Sequence, residues 1–175
     1  MATFVPALAR LAQDCEPEGM TMDNSEKIGE ELAKLFAVQP EEVGLLKLEN
    51  ESLVFVHPAR LHNVGRIPLN TSTSLAVRTA NSRRPEILNN FARTRHASFF
   101  EMVDVSRQGD KKGSKEHQVI QKLMSAPVIF MNDIVGVIQI CRKGQTAPAA
   151  GRDFMPADLQ KLVMVAAGLA KCFAK

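Results

Sequence analysis

The feature that most constrains this chain is a pair of apolar, β-branched runs near its C-terminus. Residues 126–131, with Val128, Ile129, Phe130 and Met131, lead into Asn132-Asp133, and residues 134–143 follow with Ile134, Val135, Val137, Ile138 and Ile140. Asn and Asp tolerate positive φ better than most residues, so Asn132-Asp133 is the expected two-residue turn of a hairpin. The second run does not alternate apolar with polar, so both of its faces must be covered and it must be an inner strand. Gly136 leaves room for close approach on one face, and Gln139 is the single polar side chain among the apolar ones. Pro156 suits the first position of a helix, and Leu159, Leu162, Val163, Ala166, Leu169 and Phe173 recur after it at helical spacing. Asp158, in the first turn, is favoured by the helix dipole and is placed to pair with Lys143 as a structural clamp.

Upstream, residues 3–14 carry a short helical stripe of Phe4, Val5, Leu8 and Leu11, broken by Glu16-Pro17-Glu18-Gly19. Asp23 and Glu26 have the spacing of a capping box ahead of a helix through Ile28, Leu32, Leu35 and Phe36. Val43–Glu49 and residues 53–57 read as a hairpin with Asn50-Glu51 at its tip, and residues 64–69 as a weaker third strand. The polar run at residues 70–74 is an N-cap signal for a helix that Asn81 ends. Residues 85–88 form a short strand that empties into a cationic loop. A helix through Phe99, Phe100, Met102 and Val103 follows, then a Gly- and Lys-rich surface loop at 107–117, and residues 119–124 lead back to the hairpin. The order implies an α+β fold around an antiparallel sheet, and 175 residues suffice for one full core.

Charge is unevenly spread. Residues 1–56 carry 4 basic and 11 acidic side chains, whereas residues 57–118 carry 11 basic and 5 acidic. The middle of the chain is therefore where an anionic ligand is most welcome. Nucleic acid fits the same charge less well, because the chain has no Tyr or Trp for stacking. Cys15, Cys141 and Cys172 lie far apart with no CxxC, which suits free thiols in a reducing, cytoplasmic setting. No signal peptide and no membrane span is visible. Phosphate-loop, dinucleotide and esterase motifs are absent, and His57, His62, His96 and His117 lack metal-ligand spacing. Cys141, beside Arg142 and Lys143, is the one candidate for thiol-dependent catalysis.

Taken together, Ala126-Pro127-Val128, the turn, the run from Ile134 to Ile140, Lys143, Phe154, Asp158 and the long last helix resemble the GAF domain family. The Ile67-Pro68 strand end, its following helix and the strand-to-loop at residues 86–90 fit the same pattern, so the resemblance covers about residues 25–175, with residues 1–24 as a helical lead-in. It implies about six antiparallel strands, N- and C-terminal helices forming a dimerising layer on one face, and pocket-forming helices and loops on the other. The implied role is a cytoplasmic, bacterial-type signalling sensor: non-catalytic, homodimeric, and without metal, haem or bilin. The alternative is a dimerisation or protein-interaction module with no ligand. The pocket is expected between the sheet and residues 89–103, with Asn89, Asn90, Arg95 and His96 as polar contacts and Phe99 as an apolar wall, closed by the loop at 107–117. In cyclic-nucleotide-binding members a Lys–Asp pair supports the pocket; Lys143, Phe154 and Asp158 match that motif. Arg142 stands where it has Asn, and Leu159 where an acid often follows, which weighs against cyclic nucleotides. The bilin-carrying cysteine and the cysteine trio of the free-methionine-sulfoxide-reducing members have no evident counterpart.

Overall fold

The computed structural model describes residues 5–71, 73–93 and 119–175. Its elements are α1 (Pro6–Cys15), α2 (Met22–Phe36), β1 (Val43–Glu49), β2 (Ser52–His57), β3 (Ile67–Pro68), α3 (Leu75–Ser82), β4 (Glu86–Leu88), β5 (Val119–Phe130), β6 (Asp133–Gly144) and α4 (Pro156–Phe173). The strands form one antiparallel sheet in the order β3-β2-β1-β6-β5-β4. Strand β6 thus lies between β1 and β5, paired with β5 along nearly its full length and with β1 over residues 136–140.

Strand alternation sorts the apolar side chains onto two faces. Val43, Leu45, Met124, Ala126, Val128, Ile138 and Ile140 pack with α1, α2 and α4. Leu46, Leu53, Phe55, Leu123, Val137 and Cys141 pack on the opposite face with Leu75, Ala76, Val77 and Ala80 of α3. Residues 136–142 of β6 are buried without a break, as a doubly covered strand requires. Gly136 has no room for a side chain: a Cβ would overlap both the Leu46 carbonyl and the Phe173 ring. Its backbone is the floor on which Phe173 closes the helical layer.

Several local expectations shift by a residue or more. The β5–β6 turn is centred on Met131 (φ 49°) and Asn132 (φ 69°), with Asp133 already paired to Phe130. A turn at Asn132-Asp133 would slip the register and invert every side chain of a strand whose two faces carry different partners. Asn50 and Glu51 do form the other tip, both at positive φ. Helix α2 is capped by Thr21, whose hydroxyl accepts from the Asn24 N–H at 3.2 Å; Asp23 lies inside the first turn, paired with Lys27 at 2.7 Å. The third strand contracts to Ile67–Pro68, and the left-handed residue after α3 is Arg83 rather than Asn81. Ser74 caps α3 as the polar run implied. The helix expected through Phe99 and the loop at 107–117 lie outside the described residues.

Where β2 passes under α2, His57 is 5% exposed and its Nε2 is 3.0 Å from the Pro40 carbonyl oxygen. Gly29 of α2 sits directly on the imidazole, so any side chain there would overlap the ring. Burial pushes the His57 pKa below its ordinary 6.5, against the hydrogen bond to Pro40. The unfolded chain therefore binds the proton more readily than the folded one. The stability that neutral His57 supports is complete above pH 6.5 and is lost as pH falls through the lowered folded value. Urea denaturation from pH 7.5 to pH 5 should show stability declining with acid, and His57→Gln should flatten that decline.

Candidate functional site

On the α3 face of the sheet, three buried polar side chains interrupt the apolar lining. Gln139 Nε2 donates to Ser125 Oγ at 3.3 Å, Ser125 Oγ and Thr79 Oγ1 share a hydrogen bond of 2.7 Å, and Thr79 Oγ1 lies 2.9 Å from the Leu75 carbonyl. Cross-strand pairing of Ser125 with Gln139 sets the first contact, and α3 brings Thr79 over it. Such groups persist inside a core only when hydrogen-bonded, and this chain of bonds satisfies each of them. Beside Gln139 lies a crevice lined by Glu42, Gly44, Leu123, Gln139 and Cys141, too narrow to admit a water-sized molecule. A typical small-molecule pocket holds roughly 300 Å³ or more, so the described residues supply at most a floor for a ligand and not an enclosure. Glu42 closes one rim: its carboxylate accepts the Lys143 N–H at 2.7 Å and the Gln39 N–H at 2.8 Å.

Cys141 belongs to this floor and is 1% exposed. Its neighbour Arg142 points to the opposite face, as successive strand residues do. Among the described residues, no group of three or more His, Cys, Asp or Glu side chains could hold a metal ion. Nor is any helix among them long and apolar enough to cross a membrane.

The expected pocket residues divide. Asn89 leaves β4 and uses both ends of its amide on one backbone unit: Oδ1 accepts the Phe154 N–H at 2.8 Å and Nδ2 donates to the Phe154 carbonyl at 3.0 Å. It ties β4 to the loop before α4, and both ends of its amide are engaged in that tie. Asn90 is exposed at the turn that follows. Arg95, His96 and Phe99 lie outside the described residues.

At α4, the basic partner of Asp158 is Arg152. Asp158 is bound bidentately by Arg152, at 2.7 and 2.9 Å, and accepts the Met155 N–H at 2.8 Å. Lys143 is on the α3 side of β6, the same side as Cys141, so strand parity turns it away from α4. Arg142 faces α4 instead. It lies 4.8 Å over the Phe154 ring, and its Nη2 donates at 3.2 Å to the Phe36 carbonyl at the C-terminal end of α2. There a cation is favoured by the helix dipole. Its Nε is buried without a partner, and burial foremost, with Arg152 nearby, pushes its pKa below the ordinary value. On the paired strand, Lys122 is 4% exposed, donates to the Gly151 carbonyl at 2.6 Å and pairs with Asp153 at 2.8 Å. The segment before α4 is therefore held by Lys122, Arg142, Arg152 and Asn89 together.

The sheet order, the layer of α1, α2 and α4 on one face and α3 on the other recur in solved structures. The GAF domain of an Acinetobacter phosphoenolpyruvate-protein phosphotransferase is similar at a TM-score of 0.65 and 16% identity, over 99% of this chain and 95% of that one. This chain has the GAF fold. The GAF domain of a two-component sensor histidine kinase from Bacillus halodurans matches at a TM-score of 0.51 and 21% identity, over 75% and 80% of the two chains. The fRMsr of Staphylococcus aureus, in its reduced form, matches at 0.52 and 17% identity over 99% of each. No family model matches the chain, and no curated protein matches it. Sequence reasoning singled out Gln139 in this fold but missed its partners, because Ser125 and Thr79 are 46 residues apart and each looks like an ordinary polar residue.

The electrostatics of Asp158 make the clamp testable. Arg152 above all, with the Met155 N–H and against the cost of burial, holds its carboxyl down to about 2 from an ordinary 3.8. A depressed folded pKa means stability present above pH 3.8 and lost as pH falls toward 2. Asp158→Ala should cost about 1–2 kcal/mol at pH 7, since the helix-start bond and the ion pair both go. Arg152→Ala should cost less, because that side chain is 57% exposed and the Met155 bond survives. Denaturation at pH 7 and pH 3 checks both, with the Asp158→Ala deficit shrinking at the lower pH.

Proposed function

We propose that this GAF domain is a non-catalytic, cytoplasmic sensor in signal transduction that binds a small polar or anionic molecule on its α3 face and acts as a homodimer. The observation that carries this reading is the contrast between the two faces of the sheet. The face under α1, α2 and α4 is covered by an apolar layer, with its buried Lys122 and Arg142 engaged at the rim. The α3 face keeps the Thr79–Ser125–Gln139 chain beside a narrow crevice. Polar groups placed sparsely in an apolar wall are what orient a small ligand. In this reading Gln139 and Ser125 form the floor, and Asn90, Arg95, His96 and Phe99 the cationic and apolar walls. Residues 1–24 act as a lead-in to a domain at 25–175, and nucleic acid and membrane are not partners. Fold likeness to regulatory GAF domains is support by analogy; the residues of the α3 face are the physical argument.

A thermal-shift panel of anionic and neutral metabolites tests the ligand. Anions should stabilise the wild type, by about 2.7 kcal/mol at a hundredfold excess over Kd. Arg95→Ala and Gln139→Leu should each reduce that shift. Stabilisation by neutral compounds alone, or equal anion shifts in all three proteins, would overturn the assignment.

The second reading, an interaction module without ligand, rests on the outer side of α4. Leu162, Ala166, Leu169, Ala170 and Phe173 are spent on the core of the same chain. What remains outward is Val163 and Met164, 40% and 38% exposed, beside Ala167 and Gly168. Sedimentation equilibrium at micromolar concentrations should show a dimer, weakened at least roughly tenfold by Val163→Glu, which places a charge in an apolar contact. A wild-type monomer would exclude dimerisation through this face.

A further inference from the structure

Two of the three cysteines, 157 positions apart in sequence, meet in the helical layer. Cys15 ends α1 and Cys172 lies in the last turn of α4; they are 1% and 0% exposed. Cys172 Sγ donates at 3.3 Å to the carbonyl of Ala12, one turn before Cys15, so both thiols lie against the same turn of α1. Leu8, Ala12 and Cys15 are the one buried stripe of α1, so this contact sits at the end of the seam that docks α1. The N-terminus of α1 has no side-chain cap. The helix is held by its stripe and by a solvent-exposed Lys171–Glu16 pair at 3.5 Å, which is worth little. Beside the thiols opens a groove of about 410 Å³ lined by Glu16, Pro17, Phe130, Lys171, Ala174 and Lys175. Lys171 and Glu16 are the chain neighbours of the two cysteines, which themselves stay buried behind the groove. Cys141 is on the opposite face of the sheet, in the other core cluster.

We infer that Cys15 and Cys172 form a reversible intramolecular disulfide that latches α1 onto α4 when the protein meets a low-molecular-weight disulfide oxidant. One cysteine, as thiolate, attacks the oxidant RSSR and displaces RS⁻, which takes up the proton that the cysteine gave up. The second cysteine attacks the protein sulfur of the mixed disulfide, closing Cys15–Cys172 and releasing a second RSH. Two protein thiols are oxidised and one RSSR is reduced to two RSH, with protons and electrons balanced. Burial raises both thiols, Cys172 to about 11, so the docked pair is protonated and slow. Reaction then follows opening of α1, and oxidation reports on whether the N-terminal helix is seated. This latch is independent of the α3-face ligand proposal.

The test incubates the full chain with oxidised glutathione at pH 8, then alkylates under denaturing conditions. Intact mass should show the loss of two hydrogens, peptide mapping should join Cys15 to Cys172, and Cys141 should be alkylated. The oxidised form should melt roughly 10 °C higher, because a very long loop is closed in the unfolded chain, and dithiothreitol should reverse the gain. Leu8→Ala, which loosens the seam, should speed closure severalfold. Cys15→Ala and Cys172→Ala should each abolish it; if either fails to fold, the wild-type mapping decides. Only glutathione adducts, only intermolecular disulfides, a bond that includes Cys141, or no melting gain on oxidation would overturn the proposal.

Discussion

Everything in this molecule depends on a strand buried on both faces. Residues 136–142 of β6 have no solvent side, so each must suit a different neighbour above and below the sheet. Even-numbered positions meet the layer of α1, α2 and α4, and odd-numbered positions meet α3. The consequence is rigidity in register, since a slip of one residue would exchange the two cores. Gly136 makes the constraint tightest: the ring of Phe173, at the far end of α4, rests on backbone that admits no side chain. The length of the last helix and the position of one glycine are thereby coupled.

Charge handling follows from the same parity. Arg142 and Lys143 are adjacent in sequence but act on different sides of the sheet. Arg142 ends α2 and stacks on Phe154, where its buried Nε lacks a partner. Lys122, paired opposite it on β5, finds Asp153 and the Gly151 carbonyl. Leaving cations buried is costly unless each is engaged, and here a single loop engages them. That loop also presents Arg152 to Asp158, so α4 begins where the cations have already fixed the chain. The helical layer and the sheet are joined by this electrostatic hinge and by the apolar seam. The α3 face is left free to carry the Gln139–Ser125–Thr79 chain.

Local patterns in the chain were enough to determine the α+β class, the two hairpins, the inner place of β6, the N-terminal Pro156 of the last helix and the need for space at Gly136. These features follow from hydrophobic periodicity and backbone preference, which act over a few residues. Gln139 also stood out, as a polar residue in an apolar run. The partners of such residues were decided only by tertiary structure. Asp158 is bound by Arg152 rather than Lys143, because strand parity and the path of a loop settle which cation arrives. Asn89 reaches Phe154, 65 positions away, and Ser125 joins α3 through Thr79. The β5–β6 turn moved by one residue to Met131-Asn132, where the demands of two packed faces overrode a local preference of Asn-Asp. The meeting of Cys15 with Cys172 is of the same kind: no spacing rule joins two cysteines at opposite ends of a chain, and only the docking of α1 on α4 brings them together.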